Sequence, residues 1–298
     1  MVLFLQAVVS GLTIGAVYAL VAVGYNLVWA SARVFNLAQG TLVWVGVLMT
    51  YEFRQPMGWP TVPSIAAAVV TCGLINVAIE RVCVAPLRRA RGRTQDRIAV
   101  SAFIATLGAS LVIVDAYELV FGANGVPFRR YFALRAFDIQ GIIITKQQLF
   151  MVGAAIVIAL GYYAFAKYTR WGLGLSAVAQ NPEGAALRGV PVAGARILAF
   201  FLGGVMSGLA GAVLAPVTAG DPTLAFNYAL KGFVAMAIGG LESTTGALAG
   251  GAVLGLTEAM LTTYGNDEYQ IYASLLLLAF VLILRPRGLL GRGTIRTV

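Results

Sequence analysis

Between Leu3 and Ala30 the sequence carries no charged residue, and the same holds from Val62 to Ile79 and from Gln147 to Ala166. A bilayer-crossing helix takes ~20 consecutive apolar residues. A chain in which such stretches recur has too few solvated groups to cover them in water. Only 11% of the residues are charged and 59% are hydrophobic, whereas soluble domains carry ~25% charged residues. The soluble-enzyme class is therefore excluded. Collagen, coiled coil and disorder fall as well, because the apolar blocks follow no fixed short repeat. The expected fold is an all-α polytopic membrane protein with about eight transmembrane helices, within a range of about seven to nine, forming a single transmembrane domain over residues 1–298.

Missing residue types narrow the chemistry. There is no histidine, which removes the commonest general base and metal ligand. Cys72 and Cys83 form neither a CxxC metal pair nor a redox motif and read as buried thiols. Lysine occurs at Lys146, Lys167 and Lys231, and none precedes Ser or Thr. A Walker A loop is thus absent, so this route to ATP is closed to the chain itself. No cofactor and no metal are expected, and no paired carboxylates stand ready for catalysis.

The net charge of +9 does not indicate nucleic acid. Its carriers cluster at the ends of apolar blocks: Arg81, Arg88, Arg89, Arg91, Arg93 and Arg97; then Lys167, Arg170, Arg188 and Arg196; then Arg285, Arg287, Arg292 and Arg296. Short basic segments of this kind mark cytoplasmic loops beside membrane lipid. The first block has no Lys or Arg before it and Arg33 after it. It reads as a retained helix with its N-terminus outside, not as a signal peptide with a basic n-region.

Further blocks run from about Phe35 to Tyr51, Val62 to Ile79, Ile98 to Phe121, Gln147 to Ala166, Ile197 to Val217, Ala229 to Gly240, Ala247 to Leu261 and Ile271 to Leu284. Outer turns fall at Arg54–Pro60, Asp221-Pro222 and Asn266–Glu268. The loop from Gly122 to Thr145 is also placed outside, although Arg129, Arg130 and Arg135 run against the charge bias. Residues 167–196 form a cytoplasmic loop and 285–298 a cytoplasmic tail. The region 228–264 is interrupted at Gly239-Gly240 and Glu242–Gly246, which leaves two short spans or one broken, re-entrant pair. Irregular backbone survives at membrane depth only inside protein or along a wet cavity, so this region is a pathway candidate. Gly11/Gly15, Gly204/Gly208, Gly246/Gly250 and Gly251/Gly255 are GxxxG pairs, suited to helix packing within the subunit or between subunits.

The most informative segment is Asn181-Pro182-Glu183-Gly184-Ala185-Ala186-Leu187-Arg188-Gly189. Asn181 suits an N-cap, Pro182 the first helical position and Glu183 the positive dipole end; Gly189 suits the C-terminal cap, with Pro191 beyond it. The pattern predicts a short helix over 182–188, either tidying its loop or presenting itself to a partner groove. Polar groups inside apolar segments are the pathway candidates, because a charge at a helix centre costs about 2.5–3.5 kcal/mol on insertion scales. Lys231 and Glu258 lead, as a structural pair or a substrate contact. Asn36 and Gln39 follow, either capping backbone or meeting a polar solute, then Thr13, Tyr18 and Asn26.

Asn36-Leu37-Ala38-Gln39-Gly40 resembles the N-[FL]-A-[HQ]-G element of branched-chain amino acid ABC importer permeases of the LivH type. Gly11 to Leu20, Glu80-Arg81-Val82 with Pro86-Leu87-Arg88, and Ala179 to Gly189 are also similar to that family. So are Lys231-Gly232-Phe233 through Gly246-Ala247 and Arg285 to Gly291, and the matches follow one another in family order over nearly the whole chain. Glu242 stands where the family commonly has glycine, Thr245 where it has proline, and Gln39 takes the place that can hold histidine.

This resemblance implies a transmembrane subunit forming half of a solute pathway in the bacterial inner membrane. It implies a second, LivM-like permease subunit, two ABC ATPase subunits that bind the ATP, and a periplasmic substrate-binding protein that delivers branched-chain or related amino acids. It assigns Asn181 to Gly189 as the coupling segment that docks on an ATPase. Related permeases serve urea, short amides and aromatic or other carboxylates, which are the alternative solutes. An alternative of a different class is a secondary transporter with broken helices at the midplane.

Overall fold

The computed structural model describes residues 1–89, 94–121, 128, 131–132, 136–139, 141–218 and 220–291. Arg91 and Arg93 of the first basic segment, Arg129, Arg130 and Arg135 of the long loop, and Arg292 and Arg296 of the tail lie outside the described residues.

Every apolar block read from the sequence is a helix. These are α1 (Val2–Ala32), α2 (Ala38–Arg54), α3 (Thr61–Ile79), α5 (Gln95–Phe121), α6 (Lys146–Tyr168), α9 (Val192–Leu214), α10 (Thr223–Gly239), α11 (Thr244–Tyr264) and α12 (Gln270–Leu284). A π-helical turn (Glu80–Val84) carries α3 into the short α4 (Ala85–Arg89). Five helices are individually long and apolar enough to cross a membrane among the described residues, or six when the bent pair α10–α11 is counted as one. α12, with 15 residues, is a shorter apolar helix, and α2 has 17, so the expected count of about eight is only approximate. The first turn of α2 is buried in protein rather than set at a surface, and a helix that begins inside the fold need not be full length. The protein is a multi-pass, all-α membrane protein.

α1 is the central helix: from Val17 to Val28 every residue is buried. Burial on all sides along that stretch explains why it shows no polar face. α11 lies along one side of it and α9 along another, while α9 also carries α2 and α3. The glycine pairs act within the subunit. A Cβ added at Gly11 would lie 2.8 Å from Leu256 Cα, and one at Gly15 would lie 2.7 Å from the Gly251 carbonyl oxygen. Gly11/Gly15 of α1 thus meet Gly251/Gly255 of α11 backbone to backbone. Gly204/Gly208 seat α9 on Cys72 and Gly73 of α3 in the same way, and Gly246/Gly250 seat α11 on α10. Close approach without side chains is how helices associate where water gives no driving force.

The π turn and α4 lie where the sequence reads as a basic loop, and two further elements also went unread. The segment before the predicted short helix forms α7 (Arg170–Gln180), started by the Thr169 hydroxyl accepting the Gly172 N–H at 3.0 Å. Its Leu175 and Val178 are buried while Trp171 and Leu173 face outward. The long loop holds a hairpin of β1 (Ala136–Ile139) and β2 (Ile142–Thr145), tied to α1 by Gln6, whose side chain bonds both the N–H and the carbonyl of Ile143. Short strands between apolar blocks give too few alternating residues to stand out in a hydrophobic sequence.

Candidate transport pathway and coupling surface

The bundle has two chemically distinct ends. Arg33, Arg88, Arg196 and α8 (Pro182–Leu187) gather at one, referred to below as the basic end. Gln6, Arg54, Trp59 and the β hairpin gather at the other. At the basic end Arg88 donates to the Ala32 carbonyl and Gln95 to that of Arg33, closing the C-terminus of α1. Arg196 Nε meets the fully buried Glu80 carboxylate at 2.6 Å. Glu80 and Arg196 were not singled out as a pair. The only sequence signal was the resemblance around Glu80-Arg81-Val82, since residues 116 apart in the chain carry no local sign of contact.

Near the opposite end lies a cavity of 730 Å³ whose lining includes Thr13, Tyr18, Tyr228, Lys231, Glu258 and Gln270. Three of the sequence candidates converge here from three helices. Lys231 Nζ of α10 lies 2.9 Å from Glu258 Oε2 of α11 and 3.1 Å from the Tyr18 hydroxyl of α1. Tyr18 donates to the same carboxylate oxygen at 2.6 Å, and Ser274 of α12 donates to Oε1 at 2.8 Å. The ammonium also reaches Gln270 Oε1 at 3.4 Å and lies 5.4 Å over the Tyr18 ring. Lys231 and Glu258 are almost entirely shielded, with side-chain exposures of 12% and 5%. Charges in such a place persist only when paired and fully hydrogen-bonded, and these are. Thr13 spends its hydroxyl on the Val9 carbonyl at 2.8 Å while facing the cavity.

A second cavity of 500 Å³ opens at the basic end, lined in part by Asn26, Ala30, Ala179, Glu242, Ser243 and Thr245. It is built around the break between α10 and α11, which turn through 118°. Gly240 (φ 110°) and Glu242 (φ 67°) make that turn. Asn26 of α1 repairs the exposed backbone: its Nδ2 donates to the Ser243 carbonyl at 3.1 Å and its Oδ1 accepts the Glu242 N–H at 3.0 Å. Ser243 then caps α11 by accepting the Gly246 N–H at 3.0 Å. The tail completes the repair, for the N–H groups of Leu289 and Leu290 donate to Ile238 and Gly239 at 2.8 and 2.9 Å. Orphan carbonyls at a helix end need such partners.

Asn36 and Gln39 are fully buried and line neither cavity. Asn36 Oδ1 accepts the Ala38 N–H at 3.2 Å and its Nδ2 donates to Asn76 at 2.7 Å; Asn76 in turn donates to the Phe200 carbonyl at 2.6 Å. Gln39 donates to the Gly203 carbonyl at 2.7 Å. These amides start α2 and fasten it to α3 and α9.

The short helix α8 has the ends expected of it. The Asn181 side chain accepts the Gly184 N–H at 2.9 Å, Pro182 opens the helix, Glu183 sits in its first turn, and Gly189 takes a left-handed φ of 82°. Arg188 is the C-cap rather than the last helical residue. Ala185 faces inward at 4% exposure, whereas Leu187 stands 90% exposed. Ala186 and Arg188 share that outer surface.

Comparison with known proteins agrees with this architecture. Residues 7–285 match the family described as the branched-chain amino acid transport system permease component. The chain is 28% identical to the high-affinity branched-chain amino acid transport permease LivH of Escherichia coli K12, over 99% of this chain and 98% of that protein. It is likewise 28% identical to BraD of Pseudomonas aeruginosa over the same shares. A probable LivH of Methanocaldococcus jannaschii is 26% identical over 91% of this chain and 88% of that protein. The chain thus belongs to the family of branched-chain amino acid transport system permease components.

Proposed function

We propose that this chain is one of two permease subunits of an ATP-driven importer for branched-chain amino acids in a bacterial inner membrane. The whole chain acts as one permease domain and performs no covalent chemistry. Its basic end lies in the cytoplasm, consistent with the placement of Arg and Lys at that end. A periplasmic binding protein delivers solute at the opposite end, a second, LivM-like subunit supplies the other half of the pathway, and two ATPases dock beneath. Tyr18, Lys231 and Glu258 line the outer vestibule and Asn26 the inner one, with Thr13 at the outer rim.

The observation that carries this reading is α8: a capped helix at the basic end whose Leu187 is held out at 90% exposure. What distinguishes it is the setting: a short helix capped at both ends, outside the membrane-spanning blocks, is the kind of element a partner groove can grip. ATP-driven closure of the partners would reach the spans through this helix as rigid-body tilting.

The test is reconstitution of the complex in proteoliposomes, with uptake of L-leucine measured against internal and external ATP and against a protonophore. ATP-dependent uptake that survives the protonophore, and that Leu187→Glu abolishes together with ATPase co-purification, supports the reading. Uptake that persists without ATP and collapses with the protonophore reverses it in favour of a secondary transporter.

A further inference from the structure

Two residues with a Cβ take left-handed backbone among the described residues, Arg33 (φ 51°) and Glu242 (φ 67°), and they form an ion pair with each other. They come from distant places. Arg33 caps the C-terminus of α1, its N–H donating to the Trp29 carbonyl at 2.8 Å, and Glu242 lies in the break between α10 and α11. The second arm of the Arg33 guanidinium donates to the Ala179 carbonyl at 3.1 Å, in the last turn of α7 and two residues before the α8 cap Asn181. One side chain therefore touches the element leading into α8 and the turn that joins α10 to α11. Glu242 and Ala179 both line the inner cavity, so the contact stands at its rim.

Stability does not account for this arrangement. The two side chains are 40% and 34% exposed, and an ion pair so open to water shifts an equilibrium by at most about fivefold. Left-handed backbone at a residue with a Cβ costs as much or more. A contact that yields nothing net, yet is held by two strained residues, suits an element that makes and breaks during a cycle.

We propose that Arg33 is a positioning residue that couples movement of the ATPase-docking segment α7–α8 to the α10–α11 break, with Glu242 as its counterpart. The proposal rests on the reading of α8 given above. When α8 is displaced, the Ala179 carbonyl pulls on the guanidinium, which draws Glu242 and the turn with it and so changes the rim of the inner cavity. Arg suits this role because its planar fork addresses two acceptors at once.

The experiment uses the assembled complex in proteoliposomes and measures ATP hydrolysed per L-leucine imported, together with ATPase co-purification. Glu242→Gly removes the charge and also relieves the left-handed strain, so it keeps the fold; Arg33→Ala removes the other half. Each is expected to raise ATP consumed per solute by about threefold to fivefold while the ATPases remain bound. The double variant is expected to be no worse than either single, because both cut the same link. Arg33→Lys, which keeps the charge, is expected to hold Glu242→Gly-like uncoupling to less than half its size.

Wild-type stoichiometry in Arg33→Ala or Glu242→Gly overturns the proposal, as do additive defects in the double variant. Loss of the ATPases from the Glu242→Gly complex also overturns it, by making the pair a docking contact. Failure of the underlying reading shows separately, as Leu187→Glu leaving ATPase binding and uptake intact.

Discussion

The Lys231 ammonium and the Glu258 carboxylate, 2.9 Å apart, bind α10 to α11 in the wall of the outer cavity, with the Tyr18 hydroxyl of α1 bridging both. Removal of one member leaves the other as an uncompensated charge that is almost entirely shielded by protein. Lys231→Met or Glu258→Gln alone is therefore expected to destabilise the subunit by about 3–5 kcal/mol. The double variant is expected to recover most of that loss. Thermal unfolding of the detergent-solubilised complex reads this difference. Uptake by the stable double variant then tests the pathway role: near-normal L-leucine transport would reduce the pair to a structural lock.

The α1–α11 seam depends on bare backbone. A Cβ at Gly15 would come within 2.7 Å of the Gly251 carbonyl, whereas a Cβ at Gly153 on α6 would meet nothing within 4 Å. Gly15→Val is expected to cost about 1–3 kcal/mol by overpacking, with lower yield of folded complex. Gly153→Val is expected to be nearly neutral on the same fluorescence-detected size-exclusion measurement.

The start of α2 is held by side-chain amides. Asn36→Leu leaves the Ala38 N–H and the Asn76 side chain without their partner. Unsatisfied buried groups of this kind cost about 1–3 kcal/mol each. A lowered melting temperature with unchanged KM for L-leucine is expected, because Asn36 faces neither cavity. A raised KM with unchanged stability would place Asn36 in the pathway instead.

Sidedness can be read directly. Met57 is 58% exposed near the end opposite α8, and Leu187 is 90% exposed on α8. In a Cys72→Ala, Cys83→Ala background, Met57→Cys is expected to react with a membrane-impermeant maleimide in whole spheroplasts. Leu187→Cys is expected to react only in inside-out vesicles stripped of the ATPase subunits, which cover α8 in the proposed complex. The reverse pattern would invert the proposed topology.

The apolar blocks were legible because a charge-free run near the length of a bilayer has one economical structure, a helix with all backbone bonds internal. The ends of α8 were legible too, since Asn181, Pro182 and Gly189 act through their own backbone or that of near neighbours. α7 and the β hairpin were not, because an amphipathic turn and two four-residue strands differ little in composition from the loops around them. The same limit hid Glu80–Arg196, whose members are sequence-distant and individually unremarkable among basic loops.

Sequence alone determined that this chain enters a membrane, which residues are scarce enough to matter, and where its one well-capped short helix begins. Those conclusions follow from local quantities: hydropathy over ~20 residues, charge bias and capping geometry. Tertiary structure decided what each polar residue does. Asn36 and Asn26 are both amides in apolar surroundings, yet one seals a helix start and the other repairs a broken pair at a cavity rim. Lys231 and Glu258 stand 27 residues apart and become one group with Tyr18, 240 residues from Glu258, only when three helices meet. Partnership across the bundle is set by packing, and the α1–α11 packing is set by a glycine seam whose halves, Gly11/Gly15 and Gly251/Gly255, lie near opposite ends of the chain.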